Sequence, residues 1–373
     1  MEMTIRNTLT LRLFAGQSLR LPSGVLFALV LSAFLASCAK GGYYDIDTRT
    51  DIEKDGNTVI RWQVNPGMEG SVKIFASDNA SSYPTVPVVT EQISKQFASI
   101  PFPGADYVTQ YFLMVFDGKE TRVVSSRTIP TRSFTNLRDI GGYMTKTGDQ
   151  VRWGAIYRGN NLTELTSSDR RIASALGIRN QIYLQDDKDI LPRSFPGRAM
   201  QSILLPPDVS TESDCVRRRI LEGEMDQPAV IDAREDILSS YAFENPKQLS
   251  AALHFLLNEE NYPILLSDTL GNGRVAFLTA LIQSALGVPQ REIIEDYMIT
   301  NALLPISKLE PEGYKYPPLV QESLIEFYKN RPNDLQYIFY TINRRYGSVE
   351  KYLDKLLSFD HDDIEKLRSI LLY

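Results

Sequence analysis

The sequence predicts a two-part α/β chain: a parallel sheet with helices on both faces, preceded by a small all-β sandwich. Three observations predict it. From about residue 43 to 130, apolar and polar residues alternate in short runs separated by turn residues, as in half-buried strands. From about Ser133 onward strand-like and helix-like stretches alternate, the pattern of a parallel sheet joined by crossover helices. The length of 373 residues suits about two domains, and two cysteines are too few for a disulfide scaffold. With a net charge of -6 and no basic stripe, the chain is not expected to bind nucleic acid. No motif asks for a metal or an organic cofactor, so neither is expected.

The N-terminal segment reads as a targeting signal rather than as part of the fold. Arg6, Arg12 and Arg20 precede an apolar run from Val25 to Leu35, which is shorter than the roughly 20 residues of a membrane-spanning helix. The run ends in Leu35-Ala36-Ser37-Cys38, which resembles a bacterial lipobox. That resemblance implies a signal peptide over residues 1–37, an acylated Cys38 holding the chain on a membrane, and a tether over residues 38–42. Loss of residues 1–37 removes three arginines and one glutamate, which takes the charge from -6 to -8. The expected location is the bacterial cell envelope, lipid-anchored and facing the periplasm or the exterior.

Thr58 to Val64 places Ile60, Trp62 and Val64 on one face, and Ser71 to Ile74 repeats the alternation. Tyr111–Phe116 and Thr121–Val124 flank Asp117-Gly118-Lys119-Glu120, a hairpin turn. Short strands, turns and a single strand Trp predict a sandwich over residues 43–130 that resembles fibronectin type III or immunoglobulin modules in architecture. Spacing or contact with a protein partner is its expected role.

In the unit over residues 133–373, Thr166-Ser167-Ser168-Asp169 opens a helix that Gly177 closes, and Ile178–Leu184 follows as a strand. Pro246–Asn258 is a second helix, with Leu249, Leu253, Leu256 and Leu257 at helical spacing. Pro263–Leu266 reads as a buried parallel strand, and Phe277, Leu278, Leu281, Ile282, Ala285 and Leu286 form the apolar stripe of a helix closed by Gly287. Between that strand and that helix lies Ser267-Asp268-Thr269-Leu270-Gly271-Asn272-Gly273-Arg274. A loop joining a strand's C-terminal end to a helix N-terminus turns backbone N–H groups into a cup that favours an anion. Gly271 and Gly273 let the backbone curl, and Arg274 offers a forked pair of donors.

Several separated motifs then resemble the bacterial tyrosine phosphatase family, which also includes dual-specificity and phosphoinositide-active members. They are Asn136-Leu137-Arg138-Asp139-Ile140-Gly141-Gly142-Tyr143, Val151-Arg152-Trp153-Gly154 with Tyr157-Arg158, and Leu176-Gly177-Ile178-Arg179. Downstream come Ala285–Pro289, Asp296-Tyr297, Thr300-Asn301 and Tyr346–Leu353. The resemblance covers residues 133–373. It implies a phosphate loop at residues 268–274, with Arg138, Asp139 and Arg158 as accessory residues, and a phosphorylated or otherwise anionic ligand.

The departures fall on the chemistry. In the family a cysteine thiolate attacks phosphorus, and five residues separate it from the arginine; here five residues separate Asp268 from Arg274. Ser267 stands at the family's histidine, Asn272 at its lysine and Gly273 at the aspartate thought to be its general acid. Tyr183-Leu184-Gln185 stands where the family carries Asp-Leu-Arg. Loss of nucleophile, acid and accessory arginine together predicts lost catalysis, with Asp268 paired to Arg274 and filling the cup itself. The alternative is a working phosphomonoester hydrolase in which Asp268 forms an acyl phosphate, but no second carboxylate sits beside it to hold the metal such enzymes use. A plain strand-to-helix turn tied down by Arg274 is the bland reading.

Gly271-x-Gly273-x-x-Ala276 also fits a dinucleotide fingerprint, but the acid it requires would be Glu292 or Glu295, both in a helical stretch. Cys215 has basic neighbours but neither the glycines nor the arginine of a phosphate loop. His254 and His361 form no motif.

Overall fold

A computed structural model describes residues 44–53, 56–101, 109–132, 134–160, 166–184, 201–204 and 212–373. The expected signal peptide, Cys38, the tether, Ser133 and Gln185 lie outside the described residues.

The first part consists of two antiparallel sheets around one core. Strands β1 (Asp45–Ile52), β2 (Thr58–Asn65) and β5 (Phe97–Ile100) form one, in the order β1-β2-β5. Strands β3 (Ser71–Ser77), β4 (Val89–Gln92), β6 (Tyr111–Phe116) and β7 (Glu120–Ser125) form the other, in the order β4-β3-β6-β7. The alternation explains the burial. Ile60 and Trp62 face Val72, Ile74, Phe112, Met114 and Phe116 across the gap, while Arg61 and Gln63 face out. The indole N–H of Trp62 donates to the carbonyl of Ile93 at 2.8 Å, which settles its one polar atom inside the core.

The second part is built on a five-stranded sheet of β8 (Arg138–Asp139), β9 (Ile156–Asn160), β10 (Asn180–Tyr183), β11 (Gln201–Leu204) and β12 (Ile264–Asp268), in the order β11-β10-β12-β9-β8. β9 to β12 run parallel and β8 pairs antiparallel to β9 at the edge. β12 is therefore central, and all five of its residues are buried. Successive residues of β12 point to opposite faces. Ile264 and Leu266 pack with most of the helices, whereas Leu265 joins Tyr157 and the apolar face of α1 (Ser167–Leu176) on the other side. Helices thus cover both faces, very unequally.

The helices start and stop where their residues dictate. Thr166 caps α1 by accepting from the N–H of Asp169, and Gly177 ends it at φ +63°. α2 (Glu212–Leu221) and α3 (Gln227–Phe243) follow, then α4 (Pro246–Phe255). α4 stops three residues short of the expected Asn258, because Leu256 and Leu257 bond back three residues and tighten the last turn. α5 (Arg274–Leu286) follows β12 directly and is buried on almost every side. α6 (Gln290–Leu303), the single turn α7 (Ile306–Leu309), α8 (Pro318–Tyr328), α9 (Pro332–Tyr346), α10 (Val349–Leu357) and α11 (His361–Leu371) complete the chain. Asp360 caps α11 by accepting from Asp362 and Asp363. Among the described residues no helix is long and apolar enough to cross a membrane.

Candidate functional site: the loop from Asp268 to Arg274

The loop leaves the C-terminal end of β12, pressed against β9. Gly271, at φ +65°, lies so close to β9 that a Cβ there would come within 2.4 Å of the Gly159 carbonyl carbon. The close approach is possible only for glycine. From outside, the side-chain amide of Asn136 donates to the Gly271 carbonyl at 2.6 Å, and Arg158 donates to the same oxygen at 3.0 Å. With that carbonyl held outward, several of the loop's amides converge on a single side chain, that of Asp268.

The Asp268 carboxylate accepts from the N–H of Leu270 at 3.0 Å and of Asn272 at 3.1 Å through Oδ1, and of Val275 at 3.2 Å through Oδ2. Val275 is the second residue of α5, so Asp268 also caps that helix, a task the Gly273 at its N-terminus cannot perform. Asp268 is 8% exposed. Burial raises its pKa, while the three amides and the charge of Arg158 pull the other way. Its partners are backbone amides, not the expected Arg274 guanidinium. Arg274 instead lies half-buried with its guanidinium carbon 5.2 Å from the ring centroid of Tyr241. The reason is geometric: Arg274 begins α5 and leads toward α3, where Tyr241 offers its face.

Behind the loop sits a fully buried charge cluster. Arg138 reaches Asp296 through Nε at 3.3 Å, and Arg158 reaches it through Nη1 at 3.2 Å. Tyr143 donates to the same carboxylate at 3.1 Å. Burial would raise the Asp296 pKa, but Arg138 and Arg158, with Arg127, more than offset it and hold it at about 2. Arg138 also bonds the side chain of Asn136, so the cluster fixes both donors that grip Gly271. Two arginines and two aspartates, Asp268 included, leave this buried group without net charge.

Of the accessory residues suggested by sequence, Arg138 and Arg158 lie beside the loop, and Asp139 does not. Its carboxylate accepts from the N–H of Gly141 at 2.8 Å and of Gly154 at 2.7 Å, a turn-holding role, and burial pushes its pKa up to about 6. Thr269 and Leu270 contribute backbone to the curve. Asn272 points away from the cup: its side-chain amide and that of Asn330 exchange hydrogen bonds at 2.9 and 3.1 Å. Ser267 accepts from Gln181 at 2.6 Å inside the sheet. Sequence reasoning missed Asn330, Tyr241 and Gln181, which lie 58, 33 and 86 positions from their loop partners at 272, 274 and 267. No local signal marks such pairings.

The other candidates stay apart from the loop. Cys215 is exposed on α2. Glu292 and Glu295 lie within α6, where no strand end exists to meet a ribose. His254 reaches Asp363 at 3.6 Å. Among the described residues no three His, Cys, Asp or Glu side chains gather into a metal-binding group.

Comparison with known proteins places this geometry in context. Residues 129–373, about two thirds of the chain, match the profile of the tyrosine phosphatase family. The triple specificity protein phosphatase PtpB of Mycobacterium tuberculosis is 24% identical over 274 residues, covering 64% of this chain and 96% of that protein. A putative tyrosine-protein phosphatase of Cupriavidus necator is 25% identical over 235 residues, covering 61% and 83% respectively. The core catalytic domain of the PP-IP phosphatase SIW14 from S. cerevisiae, solved with citrate, is 15% identical and covers 58% of this chain and 96% of its own, at a TM-score of 0.26. A likeness that slight has no bearing on the site.

Proposed function

The chain belongs to the tyrosine phosphatase family, and on that premise we propose that it is a pseudophosphatase: a family member that has lost phosphoester hydrolysis and works by binding a protein partner or an anionic ligand. One observation carries this reading. The position from which a nucleophile would attack is held by Asp268, whose carboxylate is already spent on three backbone amides. An incoming phosphate meets a negative charge where it needs donors, a repulsion on the order of a few kcal/mol at short range and intermediate dielectric. The carboxylate is also a poor nucleophile in that state, because each amide must be given up before an oxygen can attack.

The test is hydrolysis of a chromogenic phosphomonoester by the purified protein, Asp268→Ala and Arg274→Ala. Equal background in all three is the expected result. Turnover by the parent that both substitutions abolish would instead establish a hydrolase acting on phosphotyrosine or phosphoinositide, with Asp268 as nucleophile. A second measurement addresses the cup: Asp268→Cys removes the carboxylate that occupies the amides, so phosphate or vanadate should raise its melting temperature and leave that of the parent unchanged.

We further propose that the chain is a lipoprotein of the bacterial cell envelope, anchored through Cys38, with the two-sheet part acting as a fibronectin type III-like or immunoglobulin-like module for partner contact. Leu35-Ala36-Ser37-Cys38 supports the anchor. Metabolic labelling with an alkyne fatty acid should mark the parent and fail on Cys38→Ala; equal labelling of both sinks the assignment.

A further inference from the structure

Asn272 and Gly273 form the one Asn-Gly pair in the chain, and both are half-buried at the rim of the loop, where water reaches them. Such a pair carries a chemistry of its own. The backbone nitrogen of Gly273, shielded by no side chain, can attack Cγ of Asn272. The new N–C bond closes a succinimide ring, the Cγ–Nδ2 bond breaks, and the nitrogen leaves as ammonia with the proton that Gly273 gave up. Water then opens one of the two ring carbonyls, which leaves either aspartate or isoaspartate.

In the folded chain the carbon under attack is clamped. Asn272 donates through Nδ2 to Oδ1 of Asn330 at 2.9 Å, and Asn330 donates through Nδ2 to Oδ1 of Asn272 at 3.1 Å. Asn330 lies between α8 and α9, is 1% exposed, and is itself held from α6. Its N–H donates to the Asn301 side chain and its carbonyl accepts from it, each at 2.9 Å, while its Nδ2 also donates to the Tyr297 carbonyl at 2.9 Å. The Asn272 backbone is tied as well, through its N–H to Asp268 and through its carbonyl to the N–H of Val275 at 3.2 Å. Ring closure makes Cγ tetrahedral and draws it onto Gly273, and it removes Nδ2 altogether, so neither bond to Asn330 survives it.

We propose that Asn272 is a modification site kept latent by Asn330: where that clamp lets go, the loop converts spontaneously at residue 272 to aspartate and isoaspartate. The product alters the loop whatever the loop binds. A carboxylate at 272 presents an acceptor to Oδ1 of Asn330, where an N–H donated before. Isoaspartate also lengthens the backbone between the N–H groups of Asn272 and Val275, both of which Asp268 now gathers.

The experiment is peptide-mapping mass spectrometry of the full chain incubated in mildly alkaline buffer, following the mass difference between amide and acid at residue 272. The folded parent should convert at least about tenfold more slowly than the same chain unfolded in urea, and Asn330→Ala should recover most of that difference while folded. Asn330→Asp keeps the acceptor for Nδ2 and should fall between, which serves if the alanine protein does not melt cooperatively. Asn136→Ala loosens the loop at Gly271 but leaves the amide pair intact, and should convert as slowly as the parent. An unfolded chain that stays unmodified, or a folded parent that converts as fast as the unfolded one, overturns the proposal. Equal rates in the parent and the Asn330 variants, or in Asn136→Ala and Asn330→Ala, overturn the role of Asn330.

Discussion

At the scale of single residues, Asp268 does a job that an external anion would otherwise do: it satisfies converging amides. Replacing it with alanine strands three N–H groups, while Arg158 keeps its pairing with Asp296. Since burial raises the Asp268 pKa on balance, the parent already bears part of the cost of a buried charge, and the loss should be about 3 kcal/mol rather than the sum for three bonds. Urea denaturation at neutral pH checks it, and a loss below about 1 kcal/mol would show that the carboxylate is not what holds the loop. Asp139 gives a pH prediction of opposite kind. Its folded pKa of about 6 lies above the ordinary 3.8 of an aspartate, so its contribution is complete below the unfolded value and is lost as pH rises through 6. Relative to Asp139→Asn, which keeps at most one of the two amide bonds at every pH, the parent should therefore lose roughly 3 kcal/mol between pH 4 and 7. A stability difference that stays level over that interval contradicts the buried, proton-binding carboxyl.

At the scale of elements, the loop's two neighbours impose different tolerances on its glycines and on those elsewhere. Gly271→Ala pushes a methyl into the backbone of β9, which cannot yield, and should cost more than about 3 kcal/mol. Gly177→Ala, at a nearly identical φ of +63° but with open space around it, should cost only about 1 kcal/mol. The contrast, read from urea midpoints, separates backbone strain from close packing. It also marks what sequence can and cannot disclose. The ends of α1 were legible because Thr166 and Gly177 act on their own neighbours in the chain. The strand-loop-helix order around Asp268 was legible for the same reason. α3 was not, because its buried face includes Arg234, bonded to Asp334 a hundred positions away, and a charge that distant partners neutralise reads as surface. The direction of Arg274 was hidden likewise: nothing near residue 274 announces a tyrosine on another helix.

At the scale of the whole described molecule, the two-sheet part is fastened to the α/β part by specific bonds rather than by a simple spacer. Gln150 accepts from the N–H of Val123 at 2.9 Å and donates to the Val123 carbonyl at 2.9 Å, so that its side chain continues the edge of β7. Trp153 donates to the same carbonyl at 2.8 Å. The hydroxyls of Tyr111 and Tyr157 meet at 3.1 Å, which joins β6 to the strand that also carries Arg158. Tyr373, the last residue, reaches back to the Ala80 carbonyl at 3.3 Å. Around these bonds Ala80, Tyr111, Val123 and Trp153 form a buried cluster of their own, which neither part could complete alone. Unfolding of either part exposes that cluster and breaks those bonds, so the two should unfold together. Calorimetry of the chain from residue 44 onward should then show one transition. Gln150→Ala leaves the Val123 N–H buried without an acceptor while Trp153 still serves the carbonyl, which predicts a loss of about 2 kcal/mol with the single transition retained. Gln150→Ala with Trp153→Ala removes both, and should split the transition in two. Two separate transitions in the parent protein would mean that the parts fold independently and that these contacts contribute little.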